Sequence, residues 1–360
     1  VNVLHVDEQR GWRGGEQQAS WLMQGQVQAG HRVHIAARPG SAFLTSDHGG
    51  AGSQIARIAL PLRGEWDLAS AYRLGRYVVR EGIDILHAHT SHAHTLAVLG
   101  RRFAGRGKVV VSRRVSFAPK TDPFNRWKYA QPDLLISVSH RVDQVLAEAG
   151  IPAARRAVVH SAVDLQRLDA PAIPRATLGV PEGVPLLVTA GALVGHKDIE
   201  NLIAALAIVR RTLPSVHLVI AGEGERRAAI EARIATLGLQ DAVRLLGHRK
   251  DAPQVIQAGD CYVSSSWSEG LGTSILEALA CGVPVVACEA GGAAEMVLPG
   301  ETGYLVPARD AEALAAAIVA SLSDRDAAQA MAVRGRQHIQ DHFLVERMVA
   351  GTLAAYAQLG

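Results

Sequence analysis

Cysteine is scarce in this chain: Cys261, Cys281 and Cys288 are three, an odd number, scattered through apolar surroundings with no metal-ligand spacing. That excludes a disulfide framework and a cysteine-built zinc module, and it suits a reducing compartment in which the thiols are buried. Long apolar runs are also missing. The longest uncharged stretches, such as 184–195, fall short of the about 18 to 20 residues that cross a bilayer. The chain opens on Val-Asn-Val-Leu-His-Val, which reads as a strand rather than as a signal peptide, so a cytoplasmic place is expected. Aromatic residues make up only 4%. Only Phe103, Phe117, Phe124, Trp127 and Tyr129 lie near the arginines, too few for a base-stacking platform, and no reader motif is present, so nucleic acid is not an expected partner. Short-period repeats, low-complexity tracts and the G-x-G-x-x-G dinucleotide fingerprint are absent as well.

What is present is a sequence of 360 residues with 48% hydrophobic content, enough for two cored domains. Val, Ile and Leu runs at 1–6, 32–37, 83–87, 108–112 and 134–138 alternate with segments of helical period. Continuous apolar runs mark strands buried on both faces, as in a parallel sheet wrapped by helices. The alternation pauses at 166–185, where Pro171, Pro174, Pro181 and Pro185 suit an interdomain linker. It resumes at 186–190, 216–221, 243–246, 261–264 and 283–287. The expected domains are therefore 1–165, a linker at 166–185, and 186–342, with 343–360 as a closing helix. About the last 60 residues read as helices without strands. Two doubly wound parallel-sheet domains would face each other across a cleft, and function should lie in the strand-to-helix loops.

Charge divides unevenly. Residues 1–165 hold 21 Lys and Arg against 13 Asp and Glu, while the remainder holds 16 against 21. Arg101, Arg102, Arg106, Lys108, Arg113, Arg114, Lys120, Arg126 and Lys128 fall close together. Such a basic half fits anionic lipid headgroups or an anionic glycolipid, or else is a solvated face.

Three loops can carry chemistry. Gly11-Trp12-Arg13-Gly14-Gly15 lies between the first strand and a helix from about Glu16 to Ala29, and its glycines let a phosphate or sugar approach the backbone. Gly191-Ala192-Leu193-Val194-Gly195-His196-Lys197-Asp198 follows the first strand of the second domain. There Asp198 is a potential cap and Lys197 is placed to neutralise a diphosphate over the next helix. The stretch from Ser268 to Pro284 puts a glycine loop before a helix capped by Thr273 or Ser274, with Glu269 in the loop and Glu277 inside the helix. Eight residues of helix span roughly 12 Å, too far for the carboxylate pair of a glycoside hydrolase at about 5 to 9.5 Å. The two glutamates instead suit separate hydroxyl-binding stations, one for a ribose diol and one for a sugar.

The Glu-x7-Glu stretch resembles the signature of a large family of retaining, nucleotide-sugar-dependent glycosyltransferases with the GT-B fold. Further features follow in the family's order: Gly14-Gly15, the Asp84-Ile85-Leu86-His87-Ala88-His89 strand end, Ser161-Ala162-Val163-Asp164, the Lys197 loop, Gly222-Glu223-Gly224, and Gly291-Gly292 to Glu295. The resemblance implies an α/β GT-B fold and a metal-independent hexosyltransferase with no cofactor. Its donor contacts would come from Gly15, Lys197, Arg249, Glu269, Gly270, Leu271, Gly272, Thr273 and Glu277, with Glu269 and Lys197 at the reaction. In the family the diphosphate leaves from the face that the acceptor attacks and takes its proton, so no enzymic nucleophile is needed. It further implies that the closing helix crosses back to the first domain. Two departures stand out: Ala192 replaces an expected arginine, and Arg113-Arg114 replaces an expected histidine. The arginine pair suggests an acceptor with a phosphate or carboxylate, making His89, Arg113 and Arg114 the acceptor-side candidates.

The expected function is sugar transfer from a nucleotide-diphosphate sugar, UDP-sugar favoured, to a glycan or glycolipid acceptor in lipopolysaccharide or other cell-surface polysaccharide synthesis. The site would lie in the cytoplasm, with an anionic membrane face as a partner and the oligomeric state open. One alternative is a catalytically inactive nucleotide-sugar-binding protein, motivated by the two departures. Another is a zinc-dependent hydrolase using His87, His89 and His92, which resemble a His-x-His-x-Asp-His ligand set with Ser91 where the aspartate belongs. Asp324-Arg325-Asp326 spells a metal-binding Asp-x-Asp, but its place between helices makes a helix cap the better reading.

Overall fold

A computed structural model of the chain describes residues 1–48, 50 and 54–359. It divides into two compact units, Val1–Ser161 with Val345–Gly360, and Ala162–Leu344. In chain order the first unit holds β1 (Asn2–Asp7), α1 (Gly14–Gln28), β2 (Arg32–Ala37), α2 (Ala42–Thr45), β3 (Ala56–Ala59), α3 (Leu68–Glu81), β4 (Ile85–Ala88), α4 (Ser91–Ala104), β5 (Lys108–Arg113), α5 (Pro123–Ala130), β6 (Leu134–Ser137), α6 (His140–Glu148) and β7 (Arg156–Val158). The strands form one sheet in the order β3-β2-β1-β4-β5-β6-β7. Every pairing is parallel, with Val3 opposite both Val33 and Ile85. Val, Ile and Leu occupy both faces because helices cover both: Leu4, Leu86 and Val109 pack with Leu74 and Leu96 on one side, and Val33 and Ile35 with Met23 and Phe43 on the other. Asp67 caps α3 by accepting from the Ser70 amide, and Gly82 ends that helix at φ 63°.

The second unit repeats the plan with β8 (Leu186–Ala190), α7 (Ile199–Thr212), β9 (His217–Ala221), α8 (Arg227–Thr236), β10 (Val243–Gly247), α9 (Ala252–Gln257), β11 (Cys261–Ser264), α10 (Thr273–Ala280), β12 (Val285–Cys288), α11 (Ala293–Met296), β13 (Tyr304–Val306), α12 (Ala311–Ser323) and α13 (Arg325–His342). Its parallel order is β10-β9-β8-β11-β12-β13. In each sheet the winding reverses once, between β1 and β4 and between β8 and β11. The loops at the carboxyl ends of those two strand pairs diverge to opposite faces and leave a crevice, the position at which open α/β sheets bind ligands.

One expectation changes. The chain end is not free of strands, since β13 pairs in register with β12, Tyr304 opposite Val286. Three half-buried residues are too few to show a periodicity. The proline-bearing stretch 166–185, expected as an interdomain linker, is bonded to the second unit, which begins at Ala162. Gln254 and Gln257 donate to the Arg167 and Leu168 carbonyls at 3.1 and 2.7 Å, and Arg175 pairs with Asp260 at 3.0 Å. Asp324 caps α13 by accepting from the Ala327 amide at 3.0 Å. The cysteines are free, Cys261 and Cys288 being buried. No helix among the described residues is long and apolar enough to cross a membrane.

The closing helix, α14 (Val345–Ala357), belongs to the first unit and lies along α1. Its Tyr356 hydroxyl bonds His87 Nδ1 at 2.6 Å and accepts from Gln26 Nε2 at 3.3 Å. Close approach is possible because Gly25 carries no side chain: a Cβ there would stand 2.5 Å from Val349 Cγ2. Substitution Gly25→Ala is therefore expected to cost about 1–3 kcal/mol by overpacking, read as a lowered thermal midpoint. Val349→Ala in the same chain should restore much of it, whereas an unchanged midpoint in the single variant would mean that the two helices do not pack as described.

Candidate functional site

In the second unit the residues after β8 and β11 meet at the reversal of winding. A 3-10 turn, Gly195–Lys197, leads from β8 into α7, and its Lys197 carbonyl accepts from Ser265 Oγ at 2.8 Å, tying the two loops together. Lys197 Nζ lies 2.5 Å from Glu269 Oε1, and Ser266 Oγ donates to the same oxygen at 2.6 Å. Only 19% and 11% of the Lys197 and Glu269 side chains are exposed, so the pair is shielded from solvent and stronger than a surface ion pair. Burial pushes the Glu269 carboxyl up, but the Lys197 charge and the hydrogen bonds from Lys197 and Ser266 outweigh it and hold the group below its ordinary value.

Two glycine contacts set these loops. A Cβ on Gly222 would stand 1.9 Å from the Gly191 oxygen, so only glycine lets the turn after β9 lie against the Lys197 loop. Gly291 sits at φ 55°, and a Cβ there would stand 1.7 Å from the Glu269 carbonyl. The Gly222-Glu223-Gly224 and Gly291-Gly292 motifs thus shape the loops that carry Lys197 and Glu269.

Glycine 272, at φ 101°, occupies the N-cap of α10; neither Thr273 nor Ser274 does, since both have entered the helix. Ser274 instead accepts from the Tyr262 hydroxyl at 2.8 Å. Gly270, Gly272 and Thr273 therefore lead into an uncapped helix N-terminus, where backbone amides favour an anion. Leu271 is buried at 2% exposure and anchors the loop. Inside the helix, burial raises the Glu277 carboxyl above its usual range, and Arg167, 3.7 Å away, opposes the shift. Asp198 stands at the start of α7 with φ 48° but makes no capping bond. Arg249 is paired in bidentate fashion with Asp251, both contacts at 2.7 Å.

Several neighbours carry no signal in the Glu-x7-Glu motif. Ser265 and Ser266 could have been picked from the Ser264-Ser265-Ser266 run at a strand end, but Arg167 could not, because its partner Glu277 is distant in sequence. Trp267 donates to the Gly195 carbonyl at 3.2 Å, and the Arg309 guanidinium lies 4.5 Å from the centre of its ring. Arg309 thus brings a second cation close to the Lys197 loop, where Ala192 supplies none.

The first-unit candidates are distributed differently. Gly15 is in the first turn of α1, where the Arg114 side chain packs 3.6 Å from a Cβ built on it. His89, expected to face the cleft and meet the acceptor, is buried at 5% exposure. Its Nε2 bonds His5 Nδ1 at 2.8 Å, and its Nδ1 is buried without a partner. Arg113 donates to the Tyr129 hydroxyl and to the Phe117 carbonyl, so its guanidinium serves the fold. Arg114 interacts electrostatically with Glu16 and Asp7 but is depressed to about 10 chiefly by burial. Much of the basic stretch is likewise taken up internally: Arg101 pairs with Asp133, Arg106 with Asp84 and Lys128 with Glu65.

The zinc set does not assemble as His87, His89 and His92. His92 is exposed on α4, 3.7 Å from Glu8. His5 joins His87 and His89 instead, their nitrogens within 4.8 Å of one another. Five of these six ring nitrogens are already in hydrogen bonds, to one another and to Gln26, Tyr356 and Ser112. Burial first, then neighbouring histidines and Arg114, holds His87 and His89 well below the usual histidine range. A dication here would break those bonds beside a guanidinium with no carboxylate ligand, so the donor set fits a hydrogen-bonded core network better than a metal site.

Comparison with known proteins places these loops in a family. The family described as Glycosyltransferase Family 4 matches residues 12–167, and that described as Glycosyl transferases group 1 matches residues 173–338. A GDP-mannose-dependent alpha-(1-6)-phosphatidylinositol monomannoside mannosyltransferase of Mycolicibacterium smegmatis is 33% identical over 273 residues, 70% of this chain and 71% of that protein. The lipopolysaccharide core biosynthesis glycosyltransferase LpsE of Rhizobium meliloti is 34% identical over 188 residues, 52% of this chain and 53% of that protein. The solved structure of Anabaena HepE in complex with UDP has a TM-score of 0.85 at 21% identity, covering 99% of this chain and 100% of that one, which shows the GT-B fold. By these matches across both units, the chain belongs to the group 1 glycosyl transferases.

Proposed function

We propose that this glycosyltransferase moves a sugar from a UDP-sugar, with retention and without a metal, to a glycan or glycolipid acceptor of lipopolysaccharide or a related cell-surface polysaccharide. The observation that carries this reading is the shielded Lys197–Glu269 pair at the winding reversal, beside the uncapped N-terminus of α10. A diphosphate over that helix end competes for Lys197, and its two negative charges are met by the ammonium and the backbone amides. Glu269, released from Lys197 but still bonded by Ser266, then accepts hydroxyl hydrogen bonds from the donor sugar. Glu277, with Arg167 beside it, accepts from the ribose, and the loop carrying Arg249 lies toward the base. The bond from the anomeric carbon to the diphosphate breaks while the acceptor oxygen bonds that carbon on the same face. The acceptor proton passes to the departing diphosphate oxygen. Support for the donor comes from the fold relative seen with UDP, and support for a lipid-borne acceptor from the phosphatidylinositol mannoside and lipopolysaccharide relatives.

The reading also places the enzyme on the cytoplasmic face of a membrane. Tyr72 and Phe103, each 50% exposed, meet edge to face at 5.7 Å, with Val79 53% exposed and Arg73, Arg76 and Arg102 also exposed. Apolar tips among cations that have no carboxylate partner among the described residues suit an anionic bilayer surface.

Calorimetry should show UDP binding that survives a chelator. Lys197→Ala should weaken it about 10- to 100-fold, the range of a charge-assisted hydrogen bond. A requirement for added Mg²⁺ would overturn the metal-free reading. Glu269→Ala should lower sugar transfer at least on the order of 100-fold, whereas Glu277→Ala should act mainly on UDP affinity, by about tenfold; full transfer by the Glu269 variant would remove that residue from the site. Arg73→Gln, Arg76→Gln and Arg102→Gln should each reduce partition onto phosphatidylserine vesicles about fivefold, at ~1 kcal/mol per basic residue. Unchanged partition would dismiss the membrane surface.

A further inference from the structure

The first sheet has a winding reversal of its own, between β1 and β4, and a cavity of about 350 Å³ opens there. It is lined by Glu8, Arg10 and Arg13 from the loop after β1, Glu16 from α1, Arg38 from the end of β2, and His92 from α4. The two carboxylates are already engaged. Glu16 accepts from the Arg13 backbone amide at 2.8 Å, closing the first turn of α1. Glu8 accepts from the Ala93 amide at 3.2 Å and from the Thr90 hydroxyl, so it serves the N-terminus of α4. The three arginines have no carboxylate partner among the described residues, and the Nε of Arg38 is buried without an acceptor. A buried donor left unmade is costly. An anion in the cavity would supply the acceptor, and the three arginines that line it from two strand ends, Arg10 and Arg13 exposed and Arg38 half-buried, carry guanidinium forks that match phosphate or carboxylate oxygens. Asp7, next to this loop, does not line the cavity, and burial, with Glu16 adding to it, pushes its carboxyl up to about 8, which weakens its claim on the cations.

We propose that this cavity is a subsite for one anionic sugar unit, phosphorylated or carboxylated, held by Arg10, Arg13 and Arg38. The inference rests on the reading of this chain as a transferase with a glycan acceptor and names the chemical class of that acceptor. Its volume falls within the range of small-ligand pockets, and it takes over the anion-binding part that the pair Arg113-Arg114 suggested in the sequence, since Arg113 is bonded inside the fold.

The test uses the full chain saturated with UDP and titrated separately with glucose 6-phosphate, galacturonic acid, inorganic phosphate and neutral galactose, following binding by calorimetry and ligand-observed NMR. One or both anionic sugars should bind at least tenfold more tightly than galactose, and which of them does so distinguishes a phosphate from a carboxylate. Arg38→Gln and Arg13→Gln should each lower that affinity about tenfold while leaving UDP affinity and the thermal midpoint unchanged. Equal binding of neutral and anionic sugars, or anionic-sugar binding indifferent to both substitutions, would overturn the proposal. Inorganic phosphate binding as tightly as the sugars would overturn it too, leaving an anion hole with no sugar subsite. UDP affinity is read in the same samples: loss of UDP binding with the sugar preference intact would refute the donor reading alone, and UDP binding without the sugar preference would refute the subsite alone.

Discussion

A strand covered by helices on both faces has no place for an unpaired charge, and this constraint orders the rest of the molecule. Both sheets are parallel throughout, so their middle strands are rich in Val, Ile, Leu and Ala, and most polar side chains on them, such as His5 and His87, are held by partners. Chemistry is pushed to the strand ends. Within each sheet the loops at the reversal of winding are the ones that diverge, between β1 and β4 and between β8 and β11. The convergence of titratable side chains at both places follows from topology before any particular residue is considered.

The two reversals are furnished in opposite ways. In the second unit an ammonium and a carboxylate satisfy each other, Lys197 with Glu269, beside an uncapped helix end. Under the proposed function a diphosphate would take the cation and sugar hydroxyls the carboxylate, so the pair would be exchanged for ligand contacts. In the first unit the carboxylates Glu8 and Glu16 are occupied by backbone amides, which leaves the surrounding arginines without ion partners among the described residues. One crevice therefore carries a matched pair and the other an excess of positive charge. The glycines at 222 and 291 make the first arrangement possible by letting two turns approach the Lys197 and Glu269 loops to a distance at which any Cβ would collide.

Between strands and function lies a buried polar network. His5, His87, Gln26, Tyr356 and Ser112 satisfy one another across β1, β4, β5, α1 and α14. Neutral histidines suit it because each ring offers one donor and one acceptor, and burial holds them in that state. The network binds the closing helix to the first unit through a single phenol, and it accounts for histidines that in sequence resemble a metal-ligand run.

Much of the architecture is local information. The alternation of apolar runs with helical period, the glycine loop before α10 and the positions of Lys197, Glu269 and Glu277 along it were legible because strands and helices are decided within a few residues, whereas the caps expected of Thr273 or Ser274 and of Asp198 did not form. Strand β13 escaped because three half-buried residues carry no period. What the tertiary structure decided is which polar groups are already spoken for. Arg113 and His89 read in sequence as free to meet an acceptor, yet one is bonded by Tyr129 and Phe117 and the other is buried against His5, 84 residues away. Arg38 and Arg10 drew no attention in the sequence, but they line the cavity with no ion partner among the described residues. The physical reason is that a side chain's period and propensity are properties of its neighbours along the chain, whereas its hydrogen-bond partners and its exposure belong to whatever the fold brings beside it.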